Sequence, residues 1–306
     1  MNMIQPSYLK KGDKIAIVAS ARKISLVEIE PAIAIFENWG LEVVTSKNLF
    51  NVADQFSGTD QERAEDMQTM LDDASVKAII SARGGYGTIR IIDKLNFTKF
   101  KQQPKWLVGY SDITVLHSHI HNLGIETLHA TMPINFTKNE EATESLRKAL
   151  FGEQLIYEIP NHPLNRKGFF DSAQHDIKGE LIGGNLSLIY ALTGSTSDIE
   201  TAGKILFIED LDEYLYHLDR MMMNLKRSGK LSHIAGLVVG GMTDMKDNPI
   251  PFGKTAEEII LDAVKEFNYP VCFNFPAGHI DKNMAIYFGK KSHLKIESKI
   301  TLTFSI

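Results

Sequence analysis

Three residue types that together can cleave an amide bond, a serine, a histidine and a carboxylate, stand in this chain where strands give way to turns. Trp106-Leu107-Val108 is a short apolar run of the kind that forms a buried strand. Gly109-Tyr110-Ser111-Asp112 follows, and a helical pattern begins at Ile113. A serine at such a strand-to-helix turn is pushed out of the sheet, and the backbone N–H of Asp112 is left free to donate to an oxyanion. The stretch departs from G-x-S-x-G, because Ile113 stands where a second glycine would be. Taken alone, it reads more readily as Ser111 or Asp112 capping a helix.

Further chemistry lies on either side. Val76 to Ile80 reads as a buried strand leading into Ser81-Ala82-Arg83-Gly84-Gly85-Tyr86-Gly87, with a helix expected from Thr88. A strand, a glycine-rich turn and a helix can present backbone N–H groups to an anion. The glycine spacing is not the dinucleotide-binding G-x-G-x-x-G. A serine nucleophile also needs a base and an orienting carboxylate. Glu209, after the run Lys204–Ile208, and His279, after Val271–Phe275, both stand at expected strand ends. Each by itself reads as a surface carboxylate or a loop histidine, and spacing alone does not bring them to Ser111. Asp210, Glu213 and Asp219 crowd the same region; Glu209 is preferred because it directly follows the strand. His117, His119 and His121 hint at a metal site. On a helix, however, His119 points away from the other two and no H-E-x-x-H pattern accompanies them, so packing roles are expected and no metal.

These residues need a scaffold that gathers strand ends. The chain has 306 residues, 43% of them hydrophobic, enough for a sizeable core and two domains. Strands are expected at 14–20, 41–45, 76–80 and 106–108. Helices are expected at 26–39 and 60–72, from 88 and after Ser111. This βα succession predicts a parallel sheet with its site beyond the carboxyl ends of the strands. The stretch 157–179 carries Pro160, Pro163 and Gly168 and reads as a crossing between a domain of residues 1–160, holding the nucleophile, and one of residues 161–306, holding the acid and base. Beyond it, Gly179–Asn185 leads into a helical run through Leu192. Strands are expected at 204–208, 234–239 and 271–275, helices at 215–225 and 255–267, and hairpin strands at 292–306. The Met221-Met222-Met223 run and the lone Cys272 read as packing. A net charge of −5 speaks against a nucleic-acid partner that needs a broad basic surface. The first residues lack the apolar core of a signal peptide, and no run is long enough to span a bilayer. The expectation is a soluble, cytoplasmic protein that does not partner a membrane.

In combination, Arg83-Gly84-Gly85-Tyr86-Gly87, Gly109-Tyr110-Ser111-Asp112, Gly183-Gly184-Asn185-Leu186, Phe207-Ile208-Glu209-Asp210 and Gly278-His279 resemble the LD-carboxypeptidase family, as does the opening Leu9–Ile15. The resemblance spans almost the whole chain. It implies a serine peptidase with Ser111 as nucleophile, Glu209 as orienting acid and His279 as base, and an oxyanion hole from backbone N–H groups of Gly85 and Asp112. It implies an α/β fold: an N-terminal domain resembling class I glutamine amidotransferases and a C-terminal domain with a strand-rich, barrel-like core, in a homodimer. The implied reaction is hydrolysis of the bond between an L-configured centre and the terminal D-alanine of a muropeptide tetrapeptide, without metal or organic cofactor. Arg83 is a candidate for the terminal carboxylate. Peptidases giving immunity to microcin C-type antibiotics belong to the same family, which leaves hydrolysis of aminoacyl-nucleotide-like amides as the alternative. A non-catalytic module holding an anion on the glycine turn is a third reading. Where the family often has His-Gly-Pro, this chain reads His129-Ala130-Thr131-Met132-Pro133.

Overall fold

A computed structural model describes residues 3–166, 176–297 and 299–305. In the first half, strands β1 (Lys14–Val18), β2 (Glu42–Thr45), β3 (Val76–Ser81), β4 (Trp106–Gly109) and β5 (Thr127–His129) alternate with helices α1 (Leu26–Asn38), α2 (Asp60–Asp72), α3 (Thr98–Gln102) and α4 (Thr114–Asn122). The apolar runs of β1, β3 and β4 are buried almost throughout, as a sheet covered on both faces requires. Helix α2 starts where side chains cap it: Thr59 and Glu62 form a reciprocal capping box.

The chain continues through α5 (Glu140–Leu150), β6 (Ile156–Pro160), β7 (Asp176–Asn185), α6 (Leu186–Leu192), β8 (Ile205–Leu211), α7 (Leu215–Arg227), β9 (Gly236–Thr243) and α8 (Ala256–Ala263). It ends with β10 (Val271–Cys272), β11 (Ile286–Phe288), β12 (Lys291–Ile296) and β13 (Lys299–Phe304). The strands form two sheets, ordered β11-β5-β4-β3-β1-β2 and β10-β9-β8-β7-β12-β13-β6. In the first, β1 to β5 are all parallel and only β11 runs antiparallel. In the second, β7 to β10 are parallel and β12, β13 and β6 antiparallel. The expected parallel succession and the closing hairpin are therefore present.

Beyond shortened ends, as in the strand expected at 271–275 that stops at Cys272 and the helix expected at 255–267 that stops at Ala263, three expectations need correction. The helix from Thr88 is two short 3₁₀ turns, Thr88–Arg90 and Ile92–Lys94. The Thr88 N–H is taken by the Asp112 carboxylate at 2.7 Å, so the chain is tied to its neighbour before it can coil. The strand expected to stop at Ile208 runs on to Leu211, with a register shift against β9 between Ile208 and Asp210. The stretch expected to be a crossing is partly sheet: its beginning lies in β6 and its end in β7, while 167–175, including Gly168, lie outside the described residues.

Two strands cross the expected division at 160/161. β6 pairs with β13 in the second sheet, and β11 pairs with β5 in the first. One hydrophobic cluster accordingly runs through both sheets, from Trp106, Val108 and Leu128 to Phe207, Phe275 and Phe288. Met221, Met222 and Cys272 are fully buried packing residues as expected, whereas Met223 is exposed. Among the described residues no helix is long and apolar enough to cross a membrane.

Phe288 shows how the exchange is held. It is 2% exposed and meets His117 and His129 of the first sheet's side and Phe207 of the second. Removing such a ring leaves a cavity where both sheets meet. Phe288→Ala is expected to cost about 3–5 kcal/mol, read as a lower urea midpoint. A loss under about 1 kcal/mol would show that β11 docks without the ring.

Candidate active site

Ser111 follows β4 and has φ of 64°, in the left-handed region that a side chain seldom adopts. Such a residue costs of order 1–3 kcal/mol and persists only where its surroundings over-determine it. Here Ile113, two residues on, is fully buried in the core on one side. On the other, the turn after β3 closes on the serine: a Cβ at Gly84 would lie 2.8 Å from Ser111 Cβ and 3.0 Å from its Oγ. Only glycine permits that approach. The N–H groups of Gly85 and Asp112 donate to no protein acceptor among the described residues, so both are free to receive an anion. β3 and β4 are adjacent, which makes the expected neighbours, the glycine turn and the serine, neighbours in space.

The second sheet brings Glu209 and His279. Glu209 lies in β8 at the register shift against β9, a feature that re-aims a side chain. Glu209 and Asp210 therefore both end up buried, at 0% and 1% exposure. His279 follows β10. Its Nδ1 lies 2.6 Å from Glu209 Oε2 and its Nε2 3.0 Å from Ser111 Oγ. The His279 backbone N–H donates to the same Oε2 at 3.0 Å. Gly278 makes this possible: its φ is 106°, and a Cβ there would strike Glu209 at 2.6 Å. A carboxylate only accepts, so Nδ1 carries the proton, and Nε2 is left to accept from the Ser111 hydroxyl. Burial pulls the His279 pKa down, but the charge and hydrogen bond of Glu209 and the charge of Asp210 outweigh it and leave it above its usual value.

Other expected residues go elsewhere. Glu213 pairs with His217 at 2.6 Å, one turn along its own segment. The Arg83 guanidinium donates to Lys23 O at 3.2 Å and lies 3.8 Å from Glu28, engaged at the start of α1. Arg22 instead lies against Gly85, where its Cδ occupies the place a Cβ would need. The three histidines have separate partners. His117 bonds Thr127 and the Gly109 carbonyl, His119 bonds Ser197, and His121 lies 3.9 Å from Glu180.

Sequence reasoning missed two supporting carboxylates. Asp112 Oδ2 accepts from Thr88 N, tying the serine turn to the glycine turn. Asp210 accepts from Asn185 Nδ2, Ser187 N and Leu211 N, each at 2.9 Å, and burial together with the charge of Glu209 pushes its pKa up to about 7. The signal for both was adjacency: each directly follows a residue already singled out. A cavity of about 190 Å³ opens beside His279, lined also by Tyr110, Thr131, Asn135 and Lys138. A larger one of about 690 Å³ lies between Lys178, Lys204 and Lys291 and contains none of the three central residues.

Comparison with known proteins places the chain. The LD-carboxypeptidase N-terminal domain matches residues 15–130 and the LD-carboxypeptidase C-terminal domain residues 178–294. The chain belongs to the LD-carboxypeptidase family. A Bacillus subtilis protein named probable murein peptide carboxypeptidase is 34% identical over 300 residues, covering 96% of this chain and 92% of the relative. The murein tetrapeptide carboxypeptidase of Pseudomonas aeruginosa is 25% identical, covering 92% of this chain and 93% of that one. In fold, the chain is similar to the muramoyltetrapeptide carboxypeptidase of Oxalobacter formigenes, with a TM-score of 0.86 and 24% identity over 96% of this chain and 99% of the other. It is also similar to the microcin C7 self-immunity protein MccF, solved with aspartyl sulfamoyl adenosine, with a TM-score of 0.84 and 20% identity over 99% of each chain.

Two predictions follow from this geometry. Labelling of Ser111 by a fluorophosphonate needs neutral His279, so the rate should rise with pH through a midpoint above the ordinary 6.5. Asp210 gains its charge as pH rises through about 7, so in Asp210→Asn the part of that charge which helps hold the His279 proton is gone and the midpoint should move down; an unmoved midpoint would remove Asp210 from the electrostatics of the site. Glu209→Gln offers an N–H where Nδ1–H needs an acceptor and should slow labelling by about 10³-fold or more. Glu213→Gln should be mild. The opposite order would make Glu213 the orienting acid.

Proposed function

We propose that the chain is a serine carboxypeptidase that removes the terminal D-alanine of muropeptide tetrapeptides by cleaving its bond to an L-configured centre. The observation that carries this reading is the run of contacts Ser111 Oγ–His279 Nε2–Glu209 at 3.0 and 2.6 Å, in a member of the LD-carboxypeptidase family. His279 takes the Ser111 proton as Oγ attacks the carbonyl carbon. The N–H groups of Gly85 and Asp112 receive the developing oxyanion. Glu209 holds the imidazole in the required tautomer and stabilises its charged form. His279 then gives the proton to the leaving amine as the C–N bond breaks. A water then attacks the acyl carbon, giving a proton to the same nitrogen, and that proton passes to Ser111 Oγ as the acyl C–O bond breaks.

The reading extends to the scaffold. The two matched domains support a division near residue 160, with β6 and β11 exchanged across it. The parallel β1–β5 sheet supports a glutamine amidotransferase-like first domain. For a barrel-like second domain the support is a bridge between Arg166, just beyond β6, and Val271 in β10, which brings the two ends of that sheet together. A homodimer in the cytoplasm rests on the resemblance to the family.

Ser111→Ala should fold normally and lose about 10⁴-fold or more in kcat/KM. Mass spectrometry of a tetrapeptide muropeptide incubated with the wild type should show loss of D-alanine, and an aminoacyl sulfamoyl adenosine should remain intact. Cleavage of the second and not the first would replace this reading with the immunity-type activity; labelling of Ser111 with neither cleaved would leave a serine hydrolase of another substrate. A chelator should leave D-alanine release unchanged, because His117, His119 and His121 are each engaged with different partners. Loss with EDTA that zinc restores would overturn that expectation.

A further inference from the structure

A carboxypeptidase must recognise the free carboxylate one residue beyond the bond it cuts, and the residue expected for this, Arg83, is engaged at α1. The placement of the reacting groups limits where that carboxylate lies. The carbonyl oxygen must face the N–H groups of Gly85 and Asp112, so it points toward the turn after β3. The leaving nitrogen must lie at His279 Nε2 to receive its proton. Whatever that nitrogen carries is therefore directed away from the glycine turn, toward the loop after β5, the strand on the other side of β4.

The 190 Å³ cavity beside His279 lies on that side. It is small compared with the several hundred Å³ of sites for larger ligands. At about 30 Å³ for each water-sized group, it has room for about six, which suits an amino acid the size of alanine. Tyr110 and Asn135 line it and are bonded to each other, Asn135 Nδ2 donating to Tyr110 OH at 2.7 Å. Thr131, the residue that stands where the family often has Pro, lines it as well. Among the described residues, Lys138 is the one lysine or arginine along its wall, exposed and without a side-chain hydrogen bond or ion pair. Asp281 stands on the same wall. A cavity with one ammonium and one carboxylate suits a product that leaves as a zwitterion.

We propose that Lys138 is the specificity residue of the site, pairing with the free carboxylate of the departing D-alanine in the cavity beside His279. The assignment rests on the carboxypeptidase reading. It makes the enzyme an exopeptidase by charge: a substrate with a blocked or extended C-terminus offers Lys138 no anion. Arg22, against Gly85, lies on the oxyanion side and is the rival cation.

The test compares the tetrapeptide acid with its C-terminal amide in wild type, Lys138→Met, Lys138→Arg and Arg22→Met. Lys138 is exposed, so its replacement should not disturb folding. A charged hydrogen bond of about 1.5–3 kcal/mol corresponds to a drop of about 10- to 100-fold in kcat/KM for the acid in Lys138→Met. The amide should change by less than about twofold, and Lys138→Arg should recover most of the preference. An acid-to-amide ratio equal to that of wild type in Lys138→Met overturns the proposal. A ratio lost in Arg22→Met instead moves the carboxylate to the glycine-turn side and also overturns it. Wild type that releases no D-alanine while a fluorophosphonate still labels Ser111 refutes the substrate and this assignment together; release of D-alanine with an unchanged ratio in Lys138→Met refutes the assignment alone.

Discussion

Glu209 has no exposed surface, and a carboxylate buried without partners is costly enough to disfavour the fold that contains it. What compensates it comes from one residue: the ring N–H and the backbone N–H of His279, both on Oε2. Oε1 has no partner among the described residues. Removing one member of such a buried pair typically costs about 3–5 kcal/mol. The loop after β10 is thus held to β8 by an interaction that also fixes the tautomer of His279. The same requirement accounts for Gly278, because any side chain there would occupy the space of Glu209.

Glu209 and His279 sit on one sheet and Ser111 on the other, so the geometry depends on how the sheets are held together. Three kinds of contact do this. Strand β11 leaves the second half to pair with β5, and β6 leaves the first half to pair with β13. Asn185 N donates to Thr114 Oγ1 at 2.9 Å, joining the end of β7 to the first turn of α4, just past Ser111. Tyr287 OH and Ala285 N bond the Ala149 carbonyl and Ser145 Oγ of α5. The carboxyl ends of two parallel sets of strands consequently face one another, which is where ligands bind in open α/β sheets.

Much of this was legible in the sequence because local rules govern it. The apolar runs of β1, β3 and β4, the span of α2 and the hairpin of β12 and β13 follow from residue patterns within a few positions. Ser111, the glycine turn, Glu209 and His279 were legible as residues at strand ends. That Ser111 and His279 meet was not, because 168 positions separate them and no local pattern encodes the meeting. The resemblance supplied that step. The failures have the same origin. The helix expected from Thr88 yields to a bond from Asp112, 24 residues away. The strand expected to end at Ile208 continues because β9 pairs with it through a bulge. Arg83 was a candidate for the terminal carboxylate, and its contacts with Lys23 and Glu28, 60 and 55 positions away, could not be read locally.

The turn after β3, proposed to receive the oxyanion, illustrates how a flexible sequence becomes a rigid donor. Gly84, Gly85 and Gly87 give the turn after β3 little intrinsic preference, yet its N–H groups must stay fixed to be useful, since donors that reorganise during reaction lose their advantage. The Gly87–Thr88 peptide group is clamped from both ends. Arg63 Nη1 donates to the Gly87 carbonyl at 3.1 Å, and Asp112 Oδ2 accepts from the Thr88 N–H at 2.7 Å. A cation at the oxygen and an anion at the nitrogen hydrogen orient that peptide dipole in one direction only. Both charged residues are buried, and each lies in the other's field. Asp112 is also the neighbour of Ser111, so the group that fixes the glycine turn belongs to the backbone that carries Ser111. The left-handed φ of Ser111 and the conformation of the turn are therefore not separate strains. Each is held by the same buried carboxylate, and displacing one displaces the other.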